Sequence, residues 1–237
     1  MSPITRIAVI IPAFNEQESI SDVVSSVHAV STETITLTPV VVNDCSTDKT
    51  KEIIANLNCV ALNLPINLGI GGAVQTGIKY AFDNGFDYAV QIDGDGQHPP
   101  EFILKLQAEM VEKNWDVAIG SRFITKDGFQ SSVFRRSGIT YFQFLLQLII
   151  GEKITDATSG MRLMNRKAMK LLYAYYPDEY PEPEALILYA RNGLQFGEVP
   201  VVMRERMGGE SSIKGAFGAA YYMFKVTIAI IFTYLRK

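Results

Sequence analysis

Cysteine is scarce in this chain. Cys45 and Cys59 are the two present, and their spacing fits neither a metal motif nor a disulfide framework. A reducing compartment is therefore expected. A basic excess is also missing: the net charge is −3, which argues against nucleic acid as a partner. Near the N-terminus there is no basic stretch followed by a small-residue cleavage site, so no signal peptide is expected. Long uncharged apolar runs are lacking too, since the longest, residues 216–235, carries Lys225 near its middle. What is present is apolar weight. Hydrophobic residues make up 48% of the 237, enough for one large domain with a buried core. The mean hydropathy of +0.12 is high for a soluble domain and points to membrane contact.

Short β-branched runs alternate with amphipathic segments. Residues 7–11, 40–42, 60–64, 88–92 and 117–119 read as buried strands. Helices are expected after Ser19 or Ser21, over about 50–57, from the Gly-rich 67–72 segment, and over about 100–112. This order predicts a doubly wound, mostly parallel α/β sheet. Ligands of such sheets bind at the carboxyl ends of the strands. The polar loops there carry Glu16, Asp44, Asn67, Gly71, Asp93 and Asp95. The glycines of 67–72 either expose backbone N–H groups to an anion or let the helix pack closely.

The stretch YAVQIDGDGQHPPE, residues 88–101, sets two carboxylates two positions apart on a tight turn after a buried strand. Each raises the other's pKa unless a cation lies between them. Hard oxygens so paired suit Mg²⁺ or Mn²⁺ shared with a diphosphate. The competing reading is a solvated turn built from Asp and Gly.

Seven segments in order carry a resemblance: IIPAFNE (10–16), VNDCSTD (42–48), NLGIGGA (67–73), QIDGDGQHPPE (91–101), GSRF (120–123), DATSGMRLMNRKA (156–168) and VPVVMRERMGGESS (199–212). Together they resemble the family 2 glycosyltransferases of the GT-A fold. They look most like the polyprenyl-phosphate sugar synthase branch typified by dolichyl-phosphate mannose synthase. The resemblance implies that Pro12, Ala13, Asn15 and Glu16 lie against the nucleoside, that Asp44 meets the base, and that Gly71 permits close approach. It implies Asp93, Asp95 and Gln97 as ligands of Mg²⁺ or Mn²⁺, with Asn67 and Gly94 beside the nucleotide sugar. Arg206, Gly209 and Ser211 match a segment that closes over the diphosphate. Arg122, Arg135 and Arg136 fall where the branch binds its acceptor phosphate. Contacts around Ser159, Gly160 and Arg162 are expected to choose the sugar. Two positions depart from the pattern: Asn43 stands where many members carry Asp, and Ile70 replaces a frequent basic or polar residue.

A hydroxyl acceptor needs a general base, and Glu182 or Glu184 could serve. A lipid phosphate is already an anionic nucleophile and needs cations, which the three arginines supply if they are not merely a solvated basic surface. Residues 141–150 are too short to span a bilayer and fit a core helix or an interfacial one. The C-terminal run is expected to lie on, or partly enter, the membrane as a second segment, 214–237, after a catalytic domain over 1–213. The expected function is transfer of a hexose or N-acetylhexosamine from a nucleotide sugar, with a UDP-sugar favoured and a GDP-sugar as the alternative, to a polyprenyl phosphate. The expected place is the cytoplasmic face of the membrane, with a small membrane protein or a second copy as candidate partners. The rivals are a transferase acting on a polysaccharide hydroxyl and a catalytically silent nucleotide-sugar-binding scaffold.

Overall fold

Ile7, Val9 and Ile11 alternate with Ala8 and Ile10, and all five are buried, so the first strand has a core on each side. That places it in the middle of a sheet covered on both faces. The computed structural model describes residues 4–125, 133–177, 181–204 and 215–235; the side chains of 133–139, 215–220 and 222 lie outside the described residues. Along the chain run β1 (Thr5–Ala13), α1 (Ile20–Ala29), β2 (Ile35–Asn43), α2 (Thr50–Ile54), β3 (Val60–Asn63), α3 (Gly69–Asp83), β4 (Tyr88–Gln91), α4 (Phe102–Glu112) and β5 (Val117–Ser121). Then come α5 (Val133–Ile150), β6 (Arg162–Asn165), α6 (Arg166–Ala174), α7 (Pro181–Arg191), β7 (Phe196–Pro200) and α8 (Gly215–Leu235).

The seven strands form one sheet in the order β3-β2-β1-β4-β6-β5-β7. All neighbours are parallel except β6, which runs antiparallel to β4 and β5. The GT-A architecture expected from the sequence is therefore present, and β6 is its one reversed strand. Side chains alternate between two cores. Ala8, Ile10, Val40, Val42, Ala89 and Met164 face one core, which is closed by residues of α3, α5, α6, α7 and α8. Ile7, Val9, Val41, Val90 and Leu163 face the other, closed by α1, α2 and α4.

Local reading found the first five strands and the two apolar helices, α5 and α8, and missed β6, α6, α7 and β7. β6 is four residues, Arg-Leu-Met-Asn, whose polar ends hide a strand signal. α6 opens under a true cap, with the Asn165 side chain accepting from the Ala168 N–H. α2 stops at Ile54, short of the expected 57.

The two apolar helices are one-sided. On α5, Phe142 and Leu146 are buried while Phe144 and Leu148 are 69% and 74% exposed. On α8, Val226 and Ile230 are buried while Phe224 and Phe232 are 65% and 68% exposed. α8 is pinned to α7 by Thr233, whose hydroxyl donates to Glu184 at 2.7 Å and whose carbonyl accepts from Arg191 at 2.7 Å. The Tyr141 and Thr227 hydroxyls, 3.1 Å apart, join α5 to α8. Among the described residues no helix is long and apolar enough to cross a membrane.

At the sheet edge away from the strand carboxyl ends, Asp116 fastens three elements. Its carboxylate accepts from Asn165 Nδ2, Lys167 Nζ and the Gln195 N–H, each at 2.9 Å. Burial pushes its pKa up, but these bonds outweigh burial and hold it below the ordinary value of 3.8. Its stabilisation is thus complete above that value and is lost as pH falls through the lower folded pKa. Asp116→Asn should cost about 1.5–3 kcal/mol near neutral pH. Urea denaturation of both proteins should show the gap closing towards pH 3; a pH-independent gap contradicts this role.

Candidate active site

The β1–β2 register pairs Ala13 with Asn43, so the two strands end level, and Ile10 pairs with Gln91 of β4. Their following loops surround a cleft of about 320 Å³. Pro12, Ala13, Phe14 and Glu16 form one wall, and Asp44, Ile70 and Ala73 form the second. Asp93, Gly94 and Asp95 close it. A Cβ on Gly94 would lie 3.0 Å from the Pro12 carbonyl oxygen and 3.3 Å from Glu16 Cγ, so only glycine lets the acidic turn pass this close to the β1 loop. Ser19 locks that approach, donating to the Gly94 carbonyl at 2.7 Å, with Glu16 Oε2 3.0 Å from the same hydroxyl.

Asp44 is 4% exposed and oriented, with Oδ1 accepting the Leu68 N–H at 2.7 Å. Asn67 donates to the Asp44 carbonyl at 3.2 Å and caps Gly69. Asn15 has a positive φ of 58° and accepts from the Thr47 N–H at 2.8 Å. Asn15 and Asn67 thus brace the loops, and neither they nor Gly71 line the cleft. Asn43 is likewise structural, donating to Asn63 at 2.8 Å.

The carboxylates of Asp93 and Asp95 differ in surroundings. Asp95 is 3% exposed, and its Oδ1 accepts the Gln97 N–H at 3.0 Å. Asp93 is more open, and its backbone N–H donates to His98 Nδ1 at 3.0 Å, which places the ring proton on Nε2. No cluster of three or more acidic, His or Cys side chains forms a metal cage among the described residues. Two carboxylates on an open cleft fit a divalent cation that takes its remaining oxygens from a diphosphate and water. Gln97 Nε2 points to the Arg204 carbonyl at 3.5 Å, leaving its amide oxygen for such a shell.

Arg122 follows β5 and meets Asp156, which is fully buried. Nε and Nη2 donate to the two carboxylate oxygens at 2.6 and 2.7 Å, and Nη2 also donates to Thr158 Oγ1 at 3.0 Å. The bidentate phosphate contact expected of Arg122 is therefore taken by Asp156, leaving Nη1 without a hydrogen-bond partner among the described residues. Burial alone would lower its pKa, but Asp156 raises it, with Asp93 and Glu182 adding to the effect. Glu198 holds the platform in place, accepting the backbone N–H groups of Thr155 and Asp156 at 2.7 and 2.6 Å.

The two candidate bases separate. Glu184 faces away and is bonded to α8. Glu182 lies on the first turn of α7, in electrostatic reach of Arg162, Asp93 and Arg122; burial raises its pKa above the ordinary 4.5. Arg135 and Arg136 lie on α5, with side chains outside the described residues, and Arg206, Gly209 and Ser211 fall outside them entirely.

Residues 8–172 match the family model described as glycosyl transferase family 2. The chain belongs to that family. Among its relatives, the UDP-N-acetylglucosamine–dolichyl-phosphate N-acetylglucosaminyltransferase of Methanococcus voltae is 31% identical, over 82% of this chain and 84% of that one. The polyprenol monophosphomannose synthase of Mycolicibacterium smegmatis is 30% identical, over 94% and 86%. Among solved structures, glucosyl-3-phosphoglycerate synthase from Mycobacterium tuberculosis, in complex with Mn²⁺, UDP-glucose and phosphoglyceric acid, superposes with a TM-score of 0.72. Identity there is 17%, over 98% of this chain and 80% of that one, so the likeness is one of fold.

Within this family 2 transferase, sequence reasoning overlooked Phe14, whose 48% exposed ring forms part of the cleft wall. Its place in the Pro-Ala-Phe-Asn-Glu loop after a buried strand was the available signal. Asp156 and Glu198 were overlooked as well, because their partners lie far along the chain. Asp156→Asn should cost about 3–5 kcal/mol, the cost of breaking a buried pair. Chemical denaturation measures it, and a loss below about 1 kcal/mol would place the pair among surface bridges.

Proposed function

We propose that this transferase moves a hexose or N-acetylhexosamine from a nucleoside-diphosphate sugar, with uridine favoured as the base, to a polyprenyl phosphate. The observation that carries the reading is the cleft itself, where Asp93 and Asp95 share one cavity with Pro12, Ala13 and Asp44. The acceptor rests on relatives about a third identical along most of the chain, whose names specify dolichyl or polyprenol phosphates. Asp44, with one oxygen taken by Leu68, presents the other to the base, and Phe14 offers a flat face beside it. Asp93 and Asp95 hold Mg²⁺ or Mn²⁺ with the donor diphosphate; when bound, the ion offsets the negative charge gathering on the leaving group. An acceptor phosphate oxygen bonds to the anomeric carbon as the bond to the diphosphate breaks, and the electron pair leaves with the nucleoside diphosphate. The configuration inverts, and no proton need be removed from the nucleophile. Arg122 Nη1 and the Arg135–Arg136 pair are the cations suited to hold that phosphate.

The exposed stripes of α5 and α8 support a membrane-facing role. Phe144 and Leu148 are exposed on α5, and Tyr221, Phe224, Ile228, Phe232 and Leu235 are exposed on α8, the two helices being joined at Tyr141 and Thr227. Joined apolar stripes of this kind suit the interfacial layer where a polyprenyl phosphate sits. A second reading, a sugar-hydroxyl acceptor, is favoured by one observation: Glu182 stands near Asp93 with a raised pKa, as a general base requires.

Labelled UDP-sugars with Mn²⁺ and polyprenyl phosphate should yield an acid-labile labelled lipid, and Asp95→Asn should lose at least about a hundredfold in rate. Label entering only a polysaccharide hydroxyl would replace this acceptor with the second one. Full activity of Asp95→Asn at saturating metal would remove the metal role. Replacing Phe144, Leu148, Phe224 and Phe232 by serine should release the protein from sedimenting phospholipid vesicles; unchanged sedimentation rejects the membrane face.

A further inference from the structure

The apolar part of α5 carries two glutamines, Gln143 and Gln147. Gln147 is exposed. Gln143 is half-buried, next in sequence to the buried Phe142 and the exposed Phe144. An amide turned inward needs a partner to offset its lost hydration. Gln143 finds one outside its own helix: its Nε2 donates to the Thr155 carbonyl. What that bond holds is part of the platform under Arg122.

Thr155 is committed at every polar group. Its N–H donates to Glu198 Oε2 at 2.7 Å, its hydroxyl lies 2.7 Å from the Ser121 hydroxyl, and its carbonyl accepts from Gln143. The next N–H, that of Asp156, donates to Glu198 Oε1 at 2.6 Å. The Thr155 carbonyl and the Asp156 N–H belong to one planar peptide unit. That unit is therefore clamped at both ends, by α5 on its oxygen and by β7 on its nitrogen. Its orientation sets where the Asp156 side chain leaves the backbone. Asp156 in turn takes Nε and Nη2 of Arg122, which fixes the direction of Nη1. Ser121 closes the frame beside Arg122, its hydroxyl accepting the Phe123 N–H at 3.3 Å.

We propose that Gln143 is a positioning residue for the acceptor phosphate, acting through the Thr155–Asp156 peptide and Asp156 on the direction of Arg122 Nη1. This rests on the polyprenyl-phosphate reading above. It deepens that reading by naming the residue that ties the acceptor cation to α5, the helix whose exposed Phe144 and Leu148 face the membrane there. A phosphate carried by a lipid arrives at a depth set by the membrane surface, so the guanidinium that meets it must keep a fixed place relative to the helix on that surface. The Gln143 bond supplies this reference. The donor cleft has no share in it: its loops are held by Ser19 on Gly94, by the Leu68 N–H on Asp44 and by His98 on the Asp93 N–H. Loss of the bond is therefore felt by the acceptor and not by the nucleotide sugar.

The test is the kinetics of Gln143→Leu in the full chain, a change that keeps helix preference and removes the donor. Rates are measured in Mn²⁺ with undecaprenyl phosphate in detergent micelles and the UDP-sugar that the wild-type chain turns over. The kcat/KM for the lipid should fall about five- to tenfold, one hydrogen bond's worth. The KM for the UDP-sugar, and the affinity for UDP by calorimetry, should stay within about twofold. Glu198→Gln frees the other end of the same peptide and should give the same lipid-specific loss. The double variant should lose less than the product of the two, because one peptide can be released only once. An unchanged kcat/KM for the lipid overturns the proposal, whatever the melting temperature does, and assigns the bond to stability alone. Equal weakening towards lipid and UDP-sugar overturns it as well, and so does a double variant whose loss equals the product. If the wild-type chain transfers no sugar to undecaprenyl phosphate, the proposed function fails first, and this role with it.

Discussion

Level parallel pairing of β1 with β2, and of β1 with β4, is the constraint on which the acidic cleft depends. It brings three loops that are distant in sequence to one edge: Pro12–Glu16, Asp44 and Asp93–Asp95. Both faces of these strands are buried, so a slip in register would turn apolar rows towards the wrong core. The apolar packing is thus what aligns the polar loops. Gly94 completes the arrangement because its missing side chain lets the acidic turn rest on the Pro12 carbonyl.

The other half of the site is built by a different device. The Thr155–Gly160 segment enters the reversed strand β6, and buried charge holds it. Glu198 takes two successive backbone N–H groups, and Asp156 takes both the side chain and the backbone N–H of Arg122. A guanidinium with one edge committed is a directed donor at a defined place, and much of its charge is already compensated. The apolar side is organised around α7, which carries Glu182 towards Asp93 at its first turn and holds α8 through Glu184 and Arg191. The helix bearing a site carboxylate is thereby in direct contact with the helix bearing an exposed apolar stripe.

Much of the cleft's framework was legible beforehand. The alternation of short β-branched runs with amphipathic segments named β1 to β5, and the loops after them named Glu16, Asp44, Asp93 and Asp95. These are local signals: periodicity tells which face a residue occupies, and Asp-Gly-Asp after a strand marks a turn rich in oxygen. Asn15, Asn67 and Asn43 stood in the same loops and proved to be braces, because Asn caps and bridges backbone as readily as it binds ligands. Arg122 was expected to offer a full fork, and Asp156, 34 positions away, had already taken it.

The sequence by itself determined the family, the two-cored parallel half of the sheet and the acidic turn, since each is written in residues close together along the chain. Only the tertiary structure decided that β6 runs backwards, that Glu184 is bonded to α8 while Glu182 lies in electrostatic reach of Asp93, and that Asp156 takes the fork of Arg122. These outcomes turn on pairings between distant segments. Long-range packing selects such pairings among many that local propensity allows equally, so no window of the sequence can name the partner.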